Sequence, residues 1–357
     1  MGPSMTAVAD WMIYGANGYT GRLIAEEAVR RGLRPVLAGR NEQAIAAIAT
    51  SLGCQHRSFA LEQAGLAQHL AGMRAVLHCA GPFSATARPM MEACLASGCH
   101  YLDITGEIDV IEAAAALGPR STEAGVMLLP AVGFDVVPSD CLAAALAQRM
   151  PHATQLLLAF ASLDRISPGT AKTMLEGFSH GGRARVNGRI VDVPVAWKVR
   201  EIPFRPGPRT AMTIPWGDVA TAYYSTRIPN IETYAALPAG QIRLLRRLRW
   251  LVPWLQAGWI KRLLLRYIVR SVHGPSEAAR ARSRSSLWGQ IVGADGQTIS
   301  ATLETLGGYQ LTVLSSMAAV ERVLAGDARP GFMTPALVFG KDFVLSLPDT
   351  TLEFCDR

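Results

Sequence analysis

Short apolar runs alternate with helical stretches through the first 150 residues, and this alternation is the feature that most constrains the fold. Each run ends in glycine and is short enough to be a buried strand. The five runs are 11–15, 35–39, 75–81, 99–106 and 126–133. Strands that alternate with helices are typical of a parallel sheet covered on both faces. The sequence therefore predicts an α/β fold whose N-terminal part, residues 1–150, is a doubly wound parallel sheet of the Rossmann type.

The helical stretches between these strands begin and end at recognisable residues. Asn41 is a suitable N-cap for an apolar-periodic stretch that closes at Gly53. Pro138 lies in the first turn of the stretch that follows the fifth strand, where its fixed φ suits a helix. These signals predict helices over 41–53 and from 138 onward.

The pattern changes at Pro151, where longer β-like segments separated by Gly and Pro replace the strand–helix alternation. We interpret five segments as strands: 155–161, 189–202, 219–227, 298–303 and 309–314. The change predicts a domain boundary near residue 150. We expect residues 151–357 to form a second, α+β domain for substrate and catalysis, with the C-terminal residues packing back on the first domain.

The turn after the first strand carries glycines at 15, 18 and 21. Glycine at such positions lets backbone N–H groups approach a pyrophosphate, and the helix that follows offers unsatisfied donors and a favourable dipole. A tight turn also uses glycine without any ligand, but the position after the first strand of an alternating pattern favours a dinucleotide site. The predicted cofactor-binding residues of this turn are Gly15, Asn17, Gly18, Tyr19, Thr20 and Gly21.

The end of the second strand indicates which dinucleotide binds. A protein that binds NAD usually has Asp or Glu there, which holds the ribose 2′-hydroxyl, whereas this strand ends in Gly39, Arg40 and Asn41. A guanidinium can pair with a 2′-phosphate through two hydrogen bonds. We therefore predict NADP(H) as the cofactor, with Arg40 and Asn41 in its site; the alternative for Arg40 is an ordinary surface cation.

Two further strand ends lie at the sheet edge where ligands of open α/β sheets bind. The predicted cofactor-binding residues there are Ala80, Gly81, Pro82 and Phe83 at one end, and Gly133, Phe134 and Asp135 at the other. Asp135 is suited to three roles: an acid, a ribose contact or a cap for the next helix. Capping is the commonest use of such a residue.

The composition excludes several classes of protein. Half of the residues are apolar and 18% are charged, which is too apolar for a disordered chain. The longest uncharged run, 305–320, is shorter than the about 20 residues of a membrane span. The six cysteines form no CxxC pair and no metal-ligand spacing, so we expect reduced thiols, no metal site and a cytoplasmic location.

The excess of positive charge lies in one segment. Residues 241–284 carry eleven Lys and Arg against one acid, whereas the rest of the chain has a net charge of −3. This segment divides at Pro253 into two amphipathic helical pieces. It is either a helical hairpin with a solvated Arg face, or a surface that docks an acidic acyl carrier protein or the periphery of an anionic membrane. Nucleic acid is not expected as a partner, because no short polar recognition helix is present; a homo-oligomer is compatible with the sequence.

Several motifs together resemble the saccharopine-dehydrogenase-like oxidoreductases. They are GANGYTGR (15–22), LAGRN (37–41), CAGPF (79–83), YLDITGE (101–107) and GFDVVPSD (133–140). Within that family, the segments 167–177, 214–234, 274–289 and 308–312 resemble the trans-acting enoyl reductases of lipid and polyketide assembly. The resemblance covers roughly 12–335 and implies an NADP-binding Rossmann domain and a second domain that closes over the substrate. Arg227 departs from it, because the family pattern has glycine there.

Three functions are compatible with these observations. The first is an NADPH-dependent reductase of a C=C bond conjugated to a carbonyl, with a small-molecule or carrier-bound acyl substrate. Because Lys172, Tyr223 and Tyr224 lie in the segments shared with the enoyl reductases, they are the predicted catalytic donors. The second is an imine reductase or dehydrogenase of the saccharopine type, which would need several cations in its pocket. The third is a regulator that binds NADP without turnover.

Overall fold

The computed structural model describes residues 10–62, 65–162, 181–250 and 276–355, and these form two β-sheets with helices around and between them. Lys172 and the middle part of the basic segment, 251–275, lie outside the described residues. No helix within the described ranges has both the length and the apolar character needed to cross a bilayer.

The first sheet has seven strands, and all of its pairings are parallel. Its strands are β1 (Trp11–Tyr14), β2 (Val36–Gly39), β3 (His56–Ser58), β4 (Ala75–His78), β5 (His100–Asp103), β6 (Met127–Leu129) and β15 (Gly331–Phe332). Their order is β15-β6-β5-β4-β1-β2-β3. The connections run outward in opposite directions from β1 and β4, which is the switch point where doubly wound folds bind nucleotides. The predicted Rossmann sheet and its five strands are confirmed; β3 and β15 were not predicted.

Six α-helices belong to this part of the described chain: five lie between strands of the first sheet, and the sixth leads from β6 to the second sheet. They are α1 (Tyr19–Arg30), α2 (Glu42–Leu52), α3 (Phe83–Ser97), α4 (Ile108–Ala116), α5 (Gly118–Glu123) and α6 (Val137–Arg149). The predicted caps of α2 are confirmed: the Asn41 side chain accepts a hydrogen bond from the Ala44 N–H, and Gly53 has a left-handed φ of 64°. Pro138 lies in the first turn of α6, as predicted.

The second sheet is mixed and has nine strands. They are β7 (Ala153–Ser162), β8 (Gly182–Val186), β9 (Arg189–Val193), β10 (Val199–Phe204), β11 (Gly207–Thr213), β12 (Asn230–Ala236), β13 (Arg284–Gly293), β14 (Thr298–Leu306) and β16 (Thr351–Cys355). The order along the main path is β10-β11-β12-β7-β13-β14-β16, and β8 and β9 extend from β12. Five further helices accompany it: α7 (Asp218–Thr226), α8 (Ala239–Leu248), α9 (Glu277–Arg282), α10 (Gly308–Arg322) and α11 (Pro335–Phe339).

Two of the predicted strands were wrong. Residues 219–226 belong to helix α7, whose C-cap is Arg227, and residues 309–314 are the first turns of helix α10. Both segments are rich in β-branched and aromatic residues, which suit a strand surface by propensity. Small inward-facing residues decide the outcome in α10: Ser315 is buried and its hydroxyl donates to the carbonyl of Val132, which lets the helix lie close to the first sheet.

Helix α6 joins the two sheets through one apolar core. Leu142 and Leu146 on α6 pack with residues of β13 such as Leu287 and Ile291. A Cβ placed on Gly289 in β13 would lie 2.7 Å from the Leu146 Cδ1 atom, so the helix lies directly on the strand there. The turn before α6 therefore sits where the carboxyl edge of the first sheet meets the second sheet.

Candidate active site

The glycine turn after β1 packs tightly at two of its three glycines. Gly15 has a φ of 86°, and a Cβ there would lie 2.8 Å from the Ala80 backbone nitrogen. A Cβ on Gly21 would lie 2.3 Å from the Gly15 carbonyl oxygen. Gly18 is exposed at the N-cap of α1, and no side chain caps that helix end. The first N–H groups of a helix lack intrahelical acceptors, so the turn is a cradle that fits a pyrophosphate.

The turn after β4 lies beside this cradle and is held by a carboxylate that the sequence analysis did not single out. Glu107 accepts hydrogen bonds from the N–H groups of Phe83 at 3.0 Å and Ser84 at 2.7 Å, at the first turn of α3. The Thr86 hydroxyl donates to the Ala80 carbonyl at 2.7 Å. The structure thus places the predicted stretch 80–83 against the glycine turn and fixes its backbone.

Asp103, at the end of β5, organises the next part of the same edge. Its side chain accepts hydrogen bonds from the N–H groups of Thr105 at 2.9 Å and Ala131 at 2.8 Å, and from the Tyr101 hydroxyl at 2.6 Å. Burial raises the pKa of Asp103 to about 6 despite these donors. The residue ties the ends of β5 and β6 together, so it shapes the edge without facing it.

Asp135 is not the cap of α6. The N-cap is Val136, and no side-chain cap hydrogen bond is formed there. A Cβ placed on Gly106 would lie 2.7 Å from the Asp135 Oδ2 atom, so this carboxyl group lies against the loop that carries Glu107. Burial, together with the charge of Glu107, raises the pKa of Asp135 to about 7. The preceding Phe134 N–H donates to the Thr312 hydroxyl of α10, which anchors the 133–135 turn.

Arg40 is exposed directly after β2, at the end of the cradle where a ribose would lie. The Gly15 N–H donates to the Ala38 carbonyl at 2.7 Å, and the Asn17 Oδ1 atom is 3.2 Å from where a Cβ on Gly39 would be. The glycine turn and the end of β2 therefore meet. The Asn41 side chain is engaged as the cap of α2, which leaves Arg40 as the charged group for a 2′-phosphate.

We expect Arg40→Ala to remove most of the preference for NADPH over NADH. A charge-assisted pair with the 2′-phosphate should make NADPH bind at least about tenfold tighter than NADH, which is about 1.4 kcal/mol. Titration of both nucleotides into the wild-type protein and the variant measures this preference. Equal affinities of the wild-type protein for the two nucleotides would contradict this role for Arg40.

The two tyrosines predicted as donors lie on α7 among groups of α4 and β8. The Arg185 guanidinium is 4.3 Å from the Tyr223 ring centroid, and the Tyr224 hydroxyl donates to Glu112 at 3.0 Å. Arg185 is 4% exposed and also donates to Glu112 at 2.7 Å. These contacts do not involve the predicted cofactor-binding residues. Tyr224 packs α7 on α4, and Tyr223 packs α7 on Arg185 of β8.

A small cavity of about 10 Å³ lies between α6, α7 and the second sheet, which is room for about one water molecule. Its lining is mainly apolar and comprises Ser139, Leu142, Leu158, Ala159, Phe160, Trp216, Asp218, Thr233, Leu287 and Trp288. The Phe160 ring links the cavity to the sheet edge, since it lies 6.3 Å from the Phe134 ring and 4.6 Å from the Trp216 ring.

Asp218 is the acidic group of this cavity. It is 1% exposed, its Oδ2 atom accepts a hydrogen bond from the Ser139 hydroxyl at 2.8 Å, and its Oδ1 atom has no hydrogen-bond partner among the described residues. Burial holds the pKa of Asp218 well above its usual range. A protonated carboxyl group with an unpaired oxygen can donate to a ligand, as a general acid does.

The comparisons with known proteins agree with this geometry. Residues 11–129 match the family described as the saccharopine dehydrogenase NADP binding domain. A putative trans-acting enoyl reductase of Mycobacterium tuberculosis is 34% identical over 140 residues, which cover 37% of this chain and 33% of that protein. A probable mitochondrial saccharopine dehydrogenase-like oxidoreductase of Arabidopsis thaliana is 32% identical over 154 residues, with the same two coverages. The alignments thus span about a third of these relatives.

A solved structure matches over nearly the whole chain. Saccharopine dehydrogenase (L-Glu forming) from Saccharomyces cerevisiae superposes with a TM-score of 0.68 at 12% identity, covering 97% of this chain and 99% of that one. This likeness shows the fold: a Rossmann sheet combined with a second mixed sheet. The protein is thus a dinucleotide-binding α/β protein. Its residues 11–129 match a saccharopine dehydrogenase NADP binding domain, and its cofactor is NADP(H).

Proposed function

We propose that the protein is an NADPH-dependent oxidoreductase that reduces a C=C bond conjugated to a carbonyl, in an enoyl thioester or a related polyketide or lipid intermediate. The NADP-binding domain and the names of the relatives support this class of reaction. The main observation in favour of this substrate class is the lining of the cavity beside the sheet edge. Among the described residues that line it, none is Lys, Arg or His.

The cavity lining favours an acyl substrate over an amino acid. A charged amino-acid substrate would need cations for its carboxylate, whereas an acyl chain gains from contact with side chains such as Leu158, Phe160 and Trp216. The volume of about 10 Å³ is too small for such a substrate, so its binding requires the lining side chains to move. Phe160 and Trp216 are partly exposed and are suited to this movement.

The residues of the chain have separate tasks in the proposed reaction. Bound NADPH supplies the hydride. Asp218 holds a proton on a carboxyl group that Ser139 orients. Its proposed task is to pass this proton to the developing enolate or its α carbon. The apolar lining excludes water from the reacting bond. Lys172 stays a predicted donor, and the contacts of Tyr223 and Tyr224 favour structural roles.

Steady-state oxidation of NADPH, followed by absorbance, tests the proposal against its two alternatives. We expect consumption with a short enoyl thioester and none with a cyclic imine that carries a carboxylate. Turnover of the imine alone would favour the saccharopine-type reaction. Binding of NADPH without consumption under either acceptor would favour a regulator.

The described part of the basic segment supports a docking surface. Helix α8 buries Ile242, whereas Leu244, Leu248 and the following Trp250 are 55%, 42% and 66% exposed. Arg243, Arg246, Arg247 and Arg249 are also exposed, and no acid lies between residues 239 and 250. We propose that this surface presents the enzyme to an acyl carrier protein or to an anionic membrane.

Reversal of Arg243 and Arg247 to Glu should slow turnover of a carrier-bound or lipid-presented substrate at low salt. The loss should shrink at high salt, because exposed charges are screened beyond about 10 Å at 0.1 M. Turnover of a small soluble enoyl thioester is the control and should not change. If the ratio of the two rates did not move with salt, the helix would be an ordinary solvated face.

A further inference from the structure

Helix α9, the last part of the basic segment, contacts the start of the nucleotide-binding helix. The Arg280 Nη1 group donates to the Tyr19 hydroxyl at 2.9 Å, and the guanidinium carbon is 5.8 Å from the Tyr19 ring centroid. The Tyr19 ring in turn meets the Tyr309 ring of α10 edge-on, with 5.1 Å between the centroids. A residue 261 positions away in the chain is thereby brought to the phosphate-binding turn.

Tyr19 is the first residue of α1 and follows the exposed Gly18 directly. Its contact therefore brings a guanidinium to the side chain of the first residue of α1, next to the turn that fits a pyrophosphate. The pyrophosphate is an anion, and α1 has no acidic residue in its first turn that would oppose it. Arg22, the next cation along α1, is already engaged with Glu26 at 2.9 Å. Arg40 is assigned to the 2′-phosphate, at the β2 end of the site.

We propose that Arg280 is a cofactor-binding residue that pairs with the pyrophosphate of NADP(H), and that Tyr19 positions it. The contact is made from outside the NADP-binding domain, by a helix that leads directly into β13 of the second sheet. In this proposal the nucleotide contacts both α9 and α1. The inference rests on NADP binding, which the domain family shows, and is independent of which acceptor is reduced.

Titration of nucleotides into variants tests this without any measurement of turnover. Arg280→Gln should weaken NADPH binding by about tenfold, the loss expected for a charge-assisted contact. Arg280→Lys should recover part of that loss because the charge remains. The matched control is Arg282→Gln, which removes the same charge from an exposed position on the same helix and should leave the affinity within about twofold.

Adenosine 2′-monophosphate separates the two cationic positions, because it carries the 2′-phosphate and lacks the pyrophosphate. Its affinity should be unchanged in Arg280→Gln and lowered in Arg40→Ala. An unchanged NADPH affinity in Arg280→Gln would overturn the proposal. A loss of equal size in Arg282→Gln, or with adenosine 2′-monophosphate, would also overturn it, because long-range charge or altered folding would then be the cause. Thermal melting of each variant checks that the fold is retained.

Discussion

A Gly18→Val variant should lose NADPH binding by more than about a hundredfold while it keeps its fold. A Cβ at Gly18 meets only the Gly15 carbonyl oxygen, at 3.2 Å, and its φ of −76° suits any residue. The valine side chain would instead occupy the exposed mouth of the turn, where the pyrophosphate must approach the backbone. Calorimetric titration measures the affinity, and circular dichroism with thermal melting measures the fold.

Gly21→Val is the matched control, since it adds the same side chain to the same turn but directs it toward the protein interior. Its Cβ would lie 2.3 Å from the Gly15 carbonyl oxygen and 3.0 Å from the Gly15 carbonyl carbon, so backbone atoms must move. We expect the free energy of unfolding to fall by about 3 kcal/mol. The assignment of the cofactor site would be contradicted by a well-folded Gly18→Val protein with wild-type affinity for NADPH.

An Asp218→Asn variant should lower kcat for the enoyl thioester by about a hundredfold, the usual contribution of a general acid. Asparagine has nearly the shape of the protonated aspartic acid, so the cavity and the affinity for NADPH should persist. The control is Asp140→Asn. Asp140 is also buried, but its carboxyl oxygens accept from Ser225 and from the Ala336 N–H, and it does not line the cavity. Asp140→Asn should lower the free energy of unfolding and leave kcat close to the wild-type value.

The pH profile of kcat distinguishes a proton donor from a packing residue. Burial raises the pKa of Asp218. Its carboxyl group therefore stays protonated at pH values where an exposed aspartic acid is ionised, and it loses its proton only at higher pH. The wild-type rate should therefore fall on the alkaline side, and the Asp218→Asn variant should lack this fall. Wild-type kcat with an unchanged profile in the variant would exclude Asp218 as the donor.

The Rossmann sheet could be predicted because its signals are local. The strands β1, β2 and β6 are buried on both faces and consist of unbroken apolar runs, while caps such as Asn41 depend on neighbours three residues away. Strand β3 consists of polar residues, His56 to Ser58, and β15 has only two residues, so neither shows an apolar run. Helices α7 and α10 were predicted as strands because their β-branched and aromatic residues have a high strand propensity. Packing overrides that propensity: α7 packs on α4 and α6, and α10 packs on α1.

The residues of the candidate site also differ in whether a local sequence pattern can reveal them. The glycine turn and Arg40 follow single strands, so the sequence alone predicts them as site residues. Glu107 and Arg280 act on backbone or side chains 23 and 261 positions away, so no local pattern could reveal them. Arg227 was noticed as a departure from an expected glycine, and the structure gives the reason for that glycine: the residue has a left-handed φ of 63° at the end of α7.

The fate of the hydride tests the proposed function most directly. NADPH that carries deuterium at the transferred position of the nicotinamide ring is mixed with an enoyl thioester in a single turnover, and the product is analysed by mass spectrometry and NMR. We expect one deuterium in the saturated thioester, located on the β carbon. Deuterium on a carbon bonded to nitrogen when an imine is offered instead, with the thioester unlabelled and unreduced, would contradict it.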